Sequence, residues 1–287
     1  MNKLKLNYNL SKNSWFGLGG NARKFFTPDN EQELADYILK NNSEKYYMIG
    51  SGSNILFRDK GCKETIIKLG RGFRSIEIKN NKIICGAAVL KNQLSIFALD
   101  NEITNYEFLS CIPGTIGGGI IMNAGCFGYE FKDIVDEVKG ISKKNFKLIS
   151  YNKSDIKFLY RKTIFPDDLL ITKVIFNINF GSSEKIREKI EIFKKKKETA
   201  QPSRIRTGGS TFKNPDSKNK AWELIQKSGC DKVNFGSAKF SKIHCNFIEN
   251  QGNSSADIEK LINFTIDEVK KKFNIILEPE IKIIGEK

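Results

Sequence analysis

Three polar residues stand in apolar or glycine-rich surroundings and could take part in chemistry: Arg161, Ser210 and Glu280. Arg161 follows an apolar run, so its guanidinium could be a fixed cation for a carboxylate or a developing anion. Ser210 follows two glycines, which predicts a hydroxyl on an exposed turn. Glu280 lies near several isoleucines, where desolvation would favour its protonated form and suit acid–base work. Each has a plainer alternative, as a surface arginine, a turn serine or a solvent-facing strand residue.

Two glycine-rich segments could hold phosphate groups. The central one runs from Cys111 to Gly119 and contains four glycines and one proline, so no regular helix or strand is expected there. The other, Gly50–Asn54, lies between the predicted strands Tyr46–Ile49 and Ile55–Phe57. Backbone N–H groups left uncovered in such segments bind phosphate, and two segments suggest a ligand with a diphosphate in its middle. The plainer alternative is a pair of turns, since neither segment is a dinucleotide fingerprint or a P-loop.

Length and composition are those of an ordinary globular protein. The chain has 287 residues, of which 39% are hydrophobic and 28% are charged. This length predicts two or three domains. The apolar runs are only a few residues long, so no membrane-spanning segment is expected. Residues 1–7 lack an apolar signal core, which favours a cytoplasmic protein.

Charge and cysteine content narrow the classes of function. The net charge of +15 would suit a nucleic-acid partner, but the basic residues are spread evenly and belong to no known nucleic-acid module. A lysine-rich solvated surface and a small anionic substrate are favoured instead. The six cysteines form no C-x-x-C pair and are expected to be free thiols. The sequence contains one histidine, His244, so neither a zinc site nor a Ser–His–Asp triad is favoured. A structural role is favoured for His244 instead.

Periodicity and capping signals indicate the elements that would position these residues. A helix near Lys91–Asp100 precedes the central glycine segment, and Asn80-Asn81 marks a hairpin upstream of it. Ser254 and Asp257 form a capping-box signature for a helix that continues to Phe273. Other predicted elements are a helix Glu31–Leu39 capped by Asp29, strands Val135–Ser142 and Leu169–Phe180, helices Glu184–Glu198 and Ala221–Lys227, a boundary at Gln201-Pro202 and a final strand Ile275–Ile284.

Taken in order, the motifs of this chain resemble those of the UDP-N-acetylenolpyruvoylglucosamine reductases. These flavoenzymes make UDP-N-acetylmuramate for peptidoglycan. The resemblance spans nearly the whole sequence, and the combination is specific although each motif alone is weak. The matching stretches are Ile49–Asn54, Ile112–Gly118, Met122–Gly125, Tyr160-Arg161, Gly209–Pro215, and Glu280 with Ile281–Gly285.

The resemblance implies an α+β fold, with a bipartite FAD-binding region of the vanillyl-alcohol-oxidase type followed by an α+β substrate-binding domain. Residues 1–70 would form FAD-binding subdomain 1 and residues 71–200 subdomain 2. Residues 201–287 would form the substrate-binding domain, with the last strand returning to subdomain 1. FAD would be bound non-covalently by Gly50, Ser51, Gly52, Ser53, Asn54, Pro113, Gly114, Thr115, Gly117, Gly118, Asn123 and Ala124.

The implied reaction has two halves in one cleft. NADPH reduces FAD, and the reduced flavin then delivers a hydride to the methylene carbon of an enolpyruvyl ether. By similarity Arg161 and Glu280 stabilise the enolate-like species and Ser210 donates the completing proton. The implied partner is a UDP-sugar, bound by a monomer without nucleic acid, membrane or metal. The candidate substrate-binding residues are Tyr160, Asn214, Arg204, Arg206 and Lys213.

One departure from the family pattern concerns the cover over the substrate. The longer subclass inserts a loop with a tyrosine between the arginine and serine motifs, whereas Arg161 and Ser210 stand too close in this sequence for that insertion. The chain therefore resembles the shorter subclass, and the residue that covers the substrate is left open. The nearest alternative is another FAD-dependent oxidoreductase of the same fold, such as an oxygen-using oxidase. A more remote one is a basic nucleic-acid-binding protein without catalysis.

Overall fold

The computed structural model describes residues 3–203 and 205–287. Across these residues the α-helices are α1 (Glu31–Lys40), α2 (Lys91–Asp100), α3 (Ile116–Ile121), α4 (Phe131–Ile134), α5 (Ser183–Ala200), α6 (Ala221–Ser228) and α7 (Ser255–Phe273). The strands are β1 (Leu4–Asn9), β2 (Asn21–Phe26), β3 (Tyr46–Ile49), β4 (Ile55–Phe57), β5 (Cys62–Lys68), β6 (Ile76–Lys79), β7 (Lys82–Gly86), β8 (Gly125–Cys126), β9 (Tyr129–Glu130), β10 (Val135–Ser142), β11 (Leu148–Asn152), β12 (Lys157–Leu159), β13 (Lys162–Ile164), β14 (Leu169–Asn177), β15 (Ala238–Phe240), β16 (Ile248–Asn250) and β17 (Lys282–Ile284). None of the described helices is long and apolar enough to cross a membrane.

The chain folds into two compact units, each built from separated segments. The first unit comprises the described residues up to Leu4, together with Phe26–Gly50 and Ile66–Lys197. The second unit comprises Lys5–Phe25, Ser51–Thr65 and Glu198–Lys287. Each unit has its own buried hydrophobic cluster, as expected for a chain long enough to fill two cores.

A five-stranded antiparallel sheet with the order β11-β10-β14-β7-β6 organises the first unit. Strand β14 lies at its centre and is apolar along most of its length, because both of its faces are covered. The hairpin between β6 and β7 turns through Asn80 and Asn81, whose φ angles are +51° and +56°. Asparagine tolerates this left-handed region, so the sequence prediction of a hairpin at this pair is confirmed.

The second unit contains helices α6 and α7, the strand pairs β4–β17 and β15–β16, most of β1 and β2, and the first part of β5. The buried face of α7 includes Ile258, Leu261, Ile262 and Val269, and the last three follow Ile258 by three, four and eleven positions, as in an amphipathic helix. Strand β17 pairs in parallel with β4, and Ile284 lies opposite Phe57. The end of the chain therefore pairs with a strand whose sequence position is more than two hundred residues earlier.

Two details of the predicted elements were wrong. The final strand begins at Lys282 rather than Ile275, because Pro279 cannot donate a ladder hydrogen bond and the backbone there pairs with Phe212 instead. Helix α1 is capped by Asn30, whose side chain accepts from the Glu33 N–H at 2.8 Å, and not by Asp29.

Candidate active site

The central glycine segment contains a short helix. Helix α3 takes in the glycine triple Gly117–Gly119, so the expectation of an irregular segment throughout was wrong. Close packing explains Gly119, because a Cβ there would lie 2.4 Å from the Phe131 ring. The N–H of Gly117 donates to the Ala87 carbonyl at 2.9 Å, so it is engaged within the protein and not uncovered.

Pro113 and Gly114 form the turn that leads into α3. Gly114 has a φ of +108°, which residues with a side chain rarely adopt. One residue binds both carbonyls of this turn: the Lys91 ammonium donates to Pro113 O at 2.8 Å, and the Lys91 backbone N–H donates to Gly114 O at 3.0 Å. Thr115 then caps α3, and its hydroxyl accepts from the Gly118 N–H at 3.4 Å.

The first glycine segment begins beside this turn. A Cβ on Gly50 would lie only 2.4 Å from Thr115 Oγ1, so the two predicted phosphate-binding segments meet at Gly50 within the first unit. The hydroxyl of the next residue, Ser51, is buried and has no hydrogen-bond partner among the described residues. A buried hydroxyl without a partner is costly, so the Ser51 hydroxyl could donate to a polar atom brought to this segment.

The remainder of the first glycine segment belongs to the second unit. Gly52, with a φ of +74°, accepts a hydrogen bond from the Trp15 N–H at 3.2 Å, and Ser53 is half-buried. Asn54 makes two bonds to the last part of the chain. Its side chain donates to Glu280 O at 3.0 Å, and its carbonyl accepts from the Lys282 N–H at 3.0 Å.

Asn123 is fully buried, and its neighbour Ala124 is buried with it. The Asn123 side chain donates to Glu130 Oε2 at 3.0 Å and to Leu159 O at 3.1 Å, and it accepts from the Lys132 N–H at 3.0 Å. These bonds connect the end of α3 to the β12–β13 hairpin. The Asn123 side chain therefore fixes protein groups in place.

Arg161 lies in the two-residue turn of that hairpin, with a φ of +54°. Its guanidinium donates to Gly125 O at 2.9 Å and lies 3.9 Å from the Glu130 carboxylate. It also stacks 4.9 Å from the centroid of the exposed Tyr160 ring. The side chain is only 20% exposed, so the cation is held in one place, as a fixed charge for an anion requires.

Ser210 and Glu280 are brought close together in the second unit. The Glu280 N–H donates to the carbonyl of Thr211, the residue after Ser210, at 2.8 Å. Asn246 holds the same segment, since its carbonyl accepts from the Thr211 N–H at 2.7 Å and its side chain bonds both the N–H and the carbonyl of Phe212. Ser210 and Glu280 are both half-buried.

The predicted substrate-binding residues have varied surroundings. The Lys213 ammonium pairs with the Glu278 carboxylate at 2.5 Å, and Asn214 Oδ1 accepts from the Ala221 N–H at 3.0 Å, at the start of α6. The exposed Arg206 packs along Gly17, where an added Cβ would lie 3.3 Å from Arg206 Cδ. Arg204 lies outside the described residues. Lys213 and Asn214 thus have contacts of their own within the second unit.

Three residues that hold these segments were missed at the sequence level: Lys91, Glu130 and Asn246. Lys91 opens a correctly predicted helix beside the central glycine segment, which is a usable signal. Glu130 follows Asn123 by seven positions, and nothing in the sequence connects the two. Asn246 acts on a segment more than thirty positions earlier, which only the folded chain reveals.

The surroundings of the cysteine thiols and the histidine do not favour a second catalytic or metal-binding centre. All six cysteines are free. Burial raises the pKa of the Cys62 and Cys126 thiols to about 12, so neither is a ready nucleophile. Within residues 3–203 and 205–287 no group of His, Cys, Asp and Glu could hold a metal ion. His244 Nδ1 accepts from the Asn246 N–H at 3.2 Å.

Two family models match this chain. The C-terminal domain of UDP-N-acetylenolpyruvoylglucosamine reductase matches residues 201–284, and an FAD binding domain matches residues 22–144. Among solved structures, UDP-N-acetylenolpyruvylglucosamine reductase from Thermus caldophilus superposes with a TM-score of 0.84 at 27% identity, covering 98% of each chain. These matches confirm the predicted fold class.

Curated relatives match along nearly the whole sequence. The UDP-N-acetylenolpyruvoylglucosamine reductase of Pelagibacter ubique is 42% identical over 287 residues, covering 98% of this chain and 95% of the relative. That of Rickettsia rickettsii is 43% identical over 284 residues with the same coverage. The chain therefore belongs to the UDP-N-acetylenolpyruvoylglucosamine reductase family.

Proposed function

We propose that this protein reduces the enolpyruvyl ether of UDP-N-acetylglucosamine-enolpyruvate to UDP-N-acetylmuramate, a precursor of peptidoglycan, with FAD as cofactor and NADPH as hydride donor. Family membership supports the activity. The observation that carries it to particular residues is the 2.8 Å hydrogen bond from the Glu280 N–H to Thr211 O. That backbone bond brings the residue that carries the carboxyl group next to the segment that bears Ser210, the proposed proton donor.

The residues at the two glycine segments fit the diphosphate of FAD. Gly50 faces Thr115 so closely that any side chain there would push on the threonine hydroxyl. The buried Ser51 hydroxyl, without a partner among the described residues, offers a donor to a phosphate oxygen. We assign FAD binding to both segments and to Asn123 and Ala124, whose burial beyond α3 supports a role in shaping the site.

Bound FAD would supply the hydride chemistry, with NADPH as the hydride source and the methylene carbon of the substrate as the hydride acceptor. Negative charge then grows on the neighbouring carbon and its carboxylate, and the fixed Arg161 guanidinium offsets it. Glu280, in its protonated form, donates a hydrogen bond to that carboxylate. Ser210 Oγ gives its proton to the carbon. A serine is a poor acid, so it acts only where it is held against a strongly basic centre.

We assign binding of the sugar nucleotide to Tyr160, Arg204, Arg206, Lys213 and Asn214. The stack of Arg161 on Tyr160 supports placing that ring at the substrate. We further propose that residues 1–70 and 71–200 are the two FAD-binding subdomains and that residues 201–287 bind the substrate. The protein is proposed to act as a cytoplasmic monomer, for which light scattering of the purified protein tests the oligomeric state.

Anaerobic stopped-flow spectroscopy tests the reaction. NADPH should bleach the flavin bands, and the enolpyruvyl sugar nucleotide should then restore them. Restoration by oxygen but not by the sugar nucleotide would identify an oxidase of the same fold instead. A colourless protein that binds DNA with a steep salt dependence would favour the nucleic-acid-binding alternative and end the proposal.

A further inference from the structure

Lys91 is a buried lysine beside the central glycine segment. It is only 5% exposed, and its ammonium lies 6.0 Å from the centroid of the Phe131 ring and 2.8 Å from Pro113 O. Desolvating a lysine ammonium costs free energy, so a buried lysine is expected where its charge or its hydrogen bonds are used.

The contacts of Lys91 determine how the turn faces its surroundings. Both carbonyls that precede Thr115 point toward Lys91, the Pro113 carbonyl to its ammonium and the Gly114 carbonyl to its backbone N–H. All described peptide bonds are trans. In a trans peptide the N–H points opposite to the carbonyl of the same unit. The N–H groups of Gly114 and Thr115 therefore point away from Lys91.

These two N–H groups are available to a ligand. Neither donates a hydrogen bond within the described part of the chain. On the same turn, Thr115 Oγ1 is the atom that approaches Gly50. Two adjacent N–H groups that both point away from Lys91, with its cation on their opposite side, can form an anion-binding arrangement.

We propose that Lys91 is a positioning residue for FAD: it holds the Pro113–Thr115 turn with both carbonyls turned inward, so that the Gly114 and Thr115 N–H groups bind the diphosphate. Its buried ammonium also adds positive charge behind them. A bound diphosphate in turn offsets part of the cost of burying that charge. The inference rests on the proposed placement of the FAD diphosphate at the two glycine segments.

The test measures FAD affinity by titrating the apoprotein and following flavin fluorescence. Lys91→Met keeps the length and apolar contacts of the side chain but removes the donor and the charge. We expect Lys91→Met to raise the FAD Kd at least about tenfold, which is the loss of affinity expected when one charge-assisted hydrogen bond is removed. Lys91→Gln keeps a neutral donor on a side chain one bond shorter and should recover part of the affinity. A Kd within about twofold of wild type in Lys91→Met would overturn the proposal, as would a Lys91→Gln variant no better than Lys91→Met.

Lys189→Met is the matched control. Lys189 is also part-buried in the first unit, stacks 4.3 Å from the centroid of the Tyr129 ring and pairs with Glu107 at 3.5 Å. Its loss should lower the melting temperature of the apoprotein but leave the FAD Kd unchanged. If both methionine variants weaken FAD equally, the effect is general destabilisation and the proposal fails.

Gly50→Ala separates this inference from the placement of the cofactor. The added methyl group would displace Thr115 Oγ1, so the variant should weaken FAD whether or not Lys91 takes part. If Gly50→Ala binds FAD normally, the placement at these segments is wrong. If Gly50→Ala weakens FAD and Lys91→Met does not, the placement stands and the role of Lys91 is refuted.

Discussion

The side-chain amide of Asn54 donates a 3.0 Å hydrogen bond to the backbone carbonyl of Glu280, across 226 positions of sequence. The Asn54 carbonyl also accepts from the Lys282 N–H. One residue of the first glycine segment is thus bonded to the chain on both sides of Ile281. Glu280 precedes β17 and lies outside any strand. Its backbone is therefore fixed by the Asn54 bonds and by the bond from its own N–H to Thr211 O.

Asn54→Ala should therefore disturb Glu280. We expect the free energy of unfolding to fall by about 1 kcal/mol, since one hydrogen bond is lost and a carbonyl is left short of a donor. Reoxidation of the flavin by the sugar nucleotide should slow more than reduction by NADPH. Asn21→Ala is the matched control, because the Asn21 side chain makes an exposed bond to Asn7 in the same unit. Equal slowing of both half-reactions would contradict a specific effect on Glu280.

Ser210→Ala should separate the two half-reactions more sharply. NADPH should still bleach the flavin, because the serine takes no part in that step. Reoxidation by the substrate should slow at least about 10²-fold, the lower end of what a positioned proton donor contributes. Ser217→Ala, on an exposed turn of the same unit, should leave both steps unchanged. Loss of bleaching in Ser210→Ala would point to a folding or cofactor defect and not to a lost proton donor.

Much of the local structure could be predicted because it depends on local signals. The predicted bounds of α2 and of strands β3, β4 and β10 agree with the structure, since apolar periodicity and flanking turns define them. The final strand was overestimated, because the apolar residues around Pro279 gave a strand-like pattern. Their actual partner, the segment at Phe212, is set by tertiary pairing that a local pattern cannot contain.

The sequence was enough to propose candidate residues for the site, but it did not predict the contacts that hold those residues in place. Arg161 and Ser210 were found from their unusual context and from the family motifs. The contacts that hold them, such as Gly125 O against Arg161 or Asn246 beside Phe212, join distant positions and have no short-range signature. The glycine triple was predicted to be irregular because glycine disfavours helices. The structure places it in α3, and at Gly119 the close approach to Phe131 requires a glycine.

That last point can be tested with two alanine substitutions in α3. Gly119→Ala would place a methyl group 2.4 Å from the Phe131 ring and should cost about 1–3 kcal/mol through overpacking. Gly118→Ala is the matched control, because Gly118 is exposed and its Cβ would come no closer than 3.4 Å to Thr115 Oγ1. It should be neutral, or stabilising by up to about 1 kcal/mol from helix propensity. Urea denaturation of the apoproteins measures both, and equal values would refute the packing explanation.

His244 should make the second unit sensitive to acid. Burial lowers the pKa of its imidazole, and its Nδ1 accepts a hydrogen bond from the Asn246 N–H. Asn246 in turn bonds Thr211 and Phe212, next to Ser210. Protonation of His244 would remove the acceptor and place a charge in a half-buried position, so it would disturb the segment that carries the serine.

The sign of the pH dependence follows from the lowered pKa. The unfolded chain binds the proton at its ordinary pKa of about 6.5, above that of the folded protein. The contribution of neutral His244 to the free energy of unfolding is therefore fully present well above pH 6.5 and is lost as the pH falls through this value toward the folded pKa. His244→Gln removes the only imidazole of the chain, so its free energy of unfolding should fall less steeply than wild type between pH 7 and pH 5. Parallel pH profiles of the two proteins in urea denaturation would show that His244 contributes nothing to the acid sensitivity.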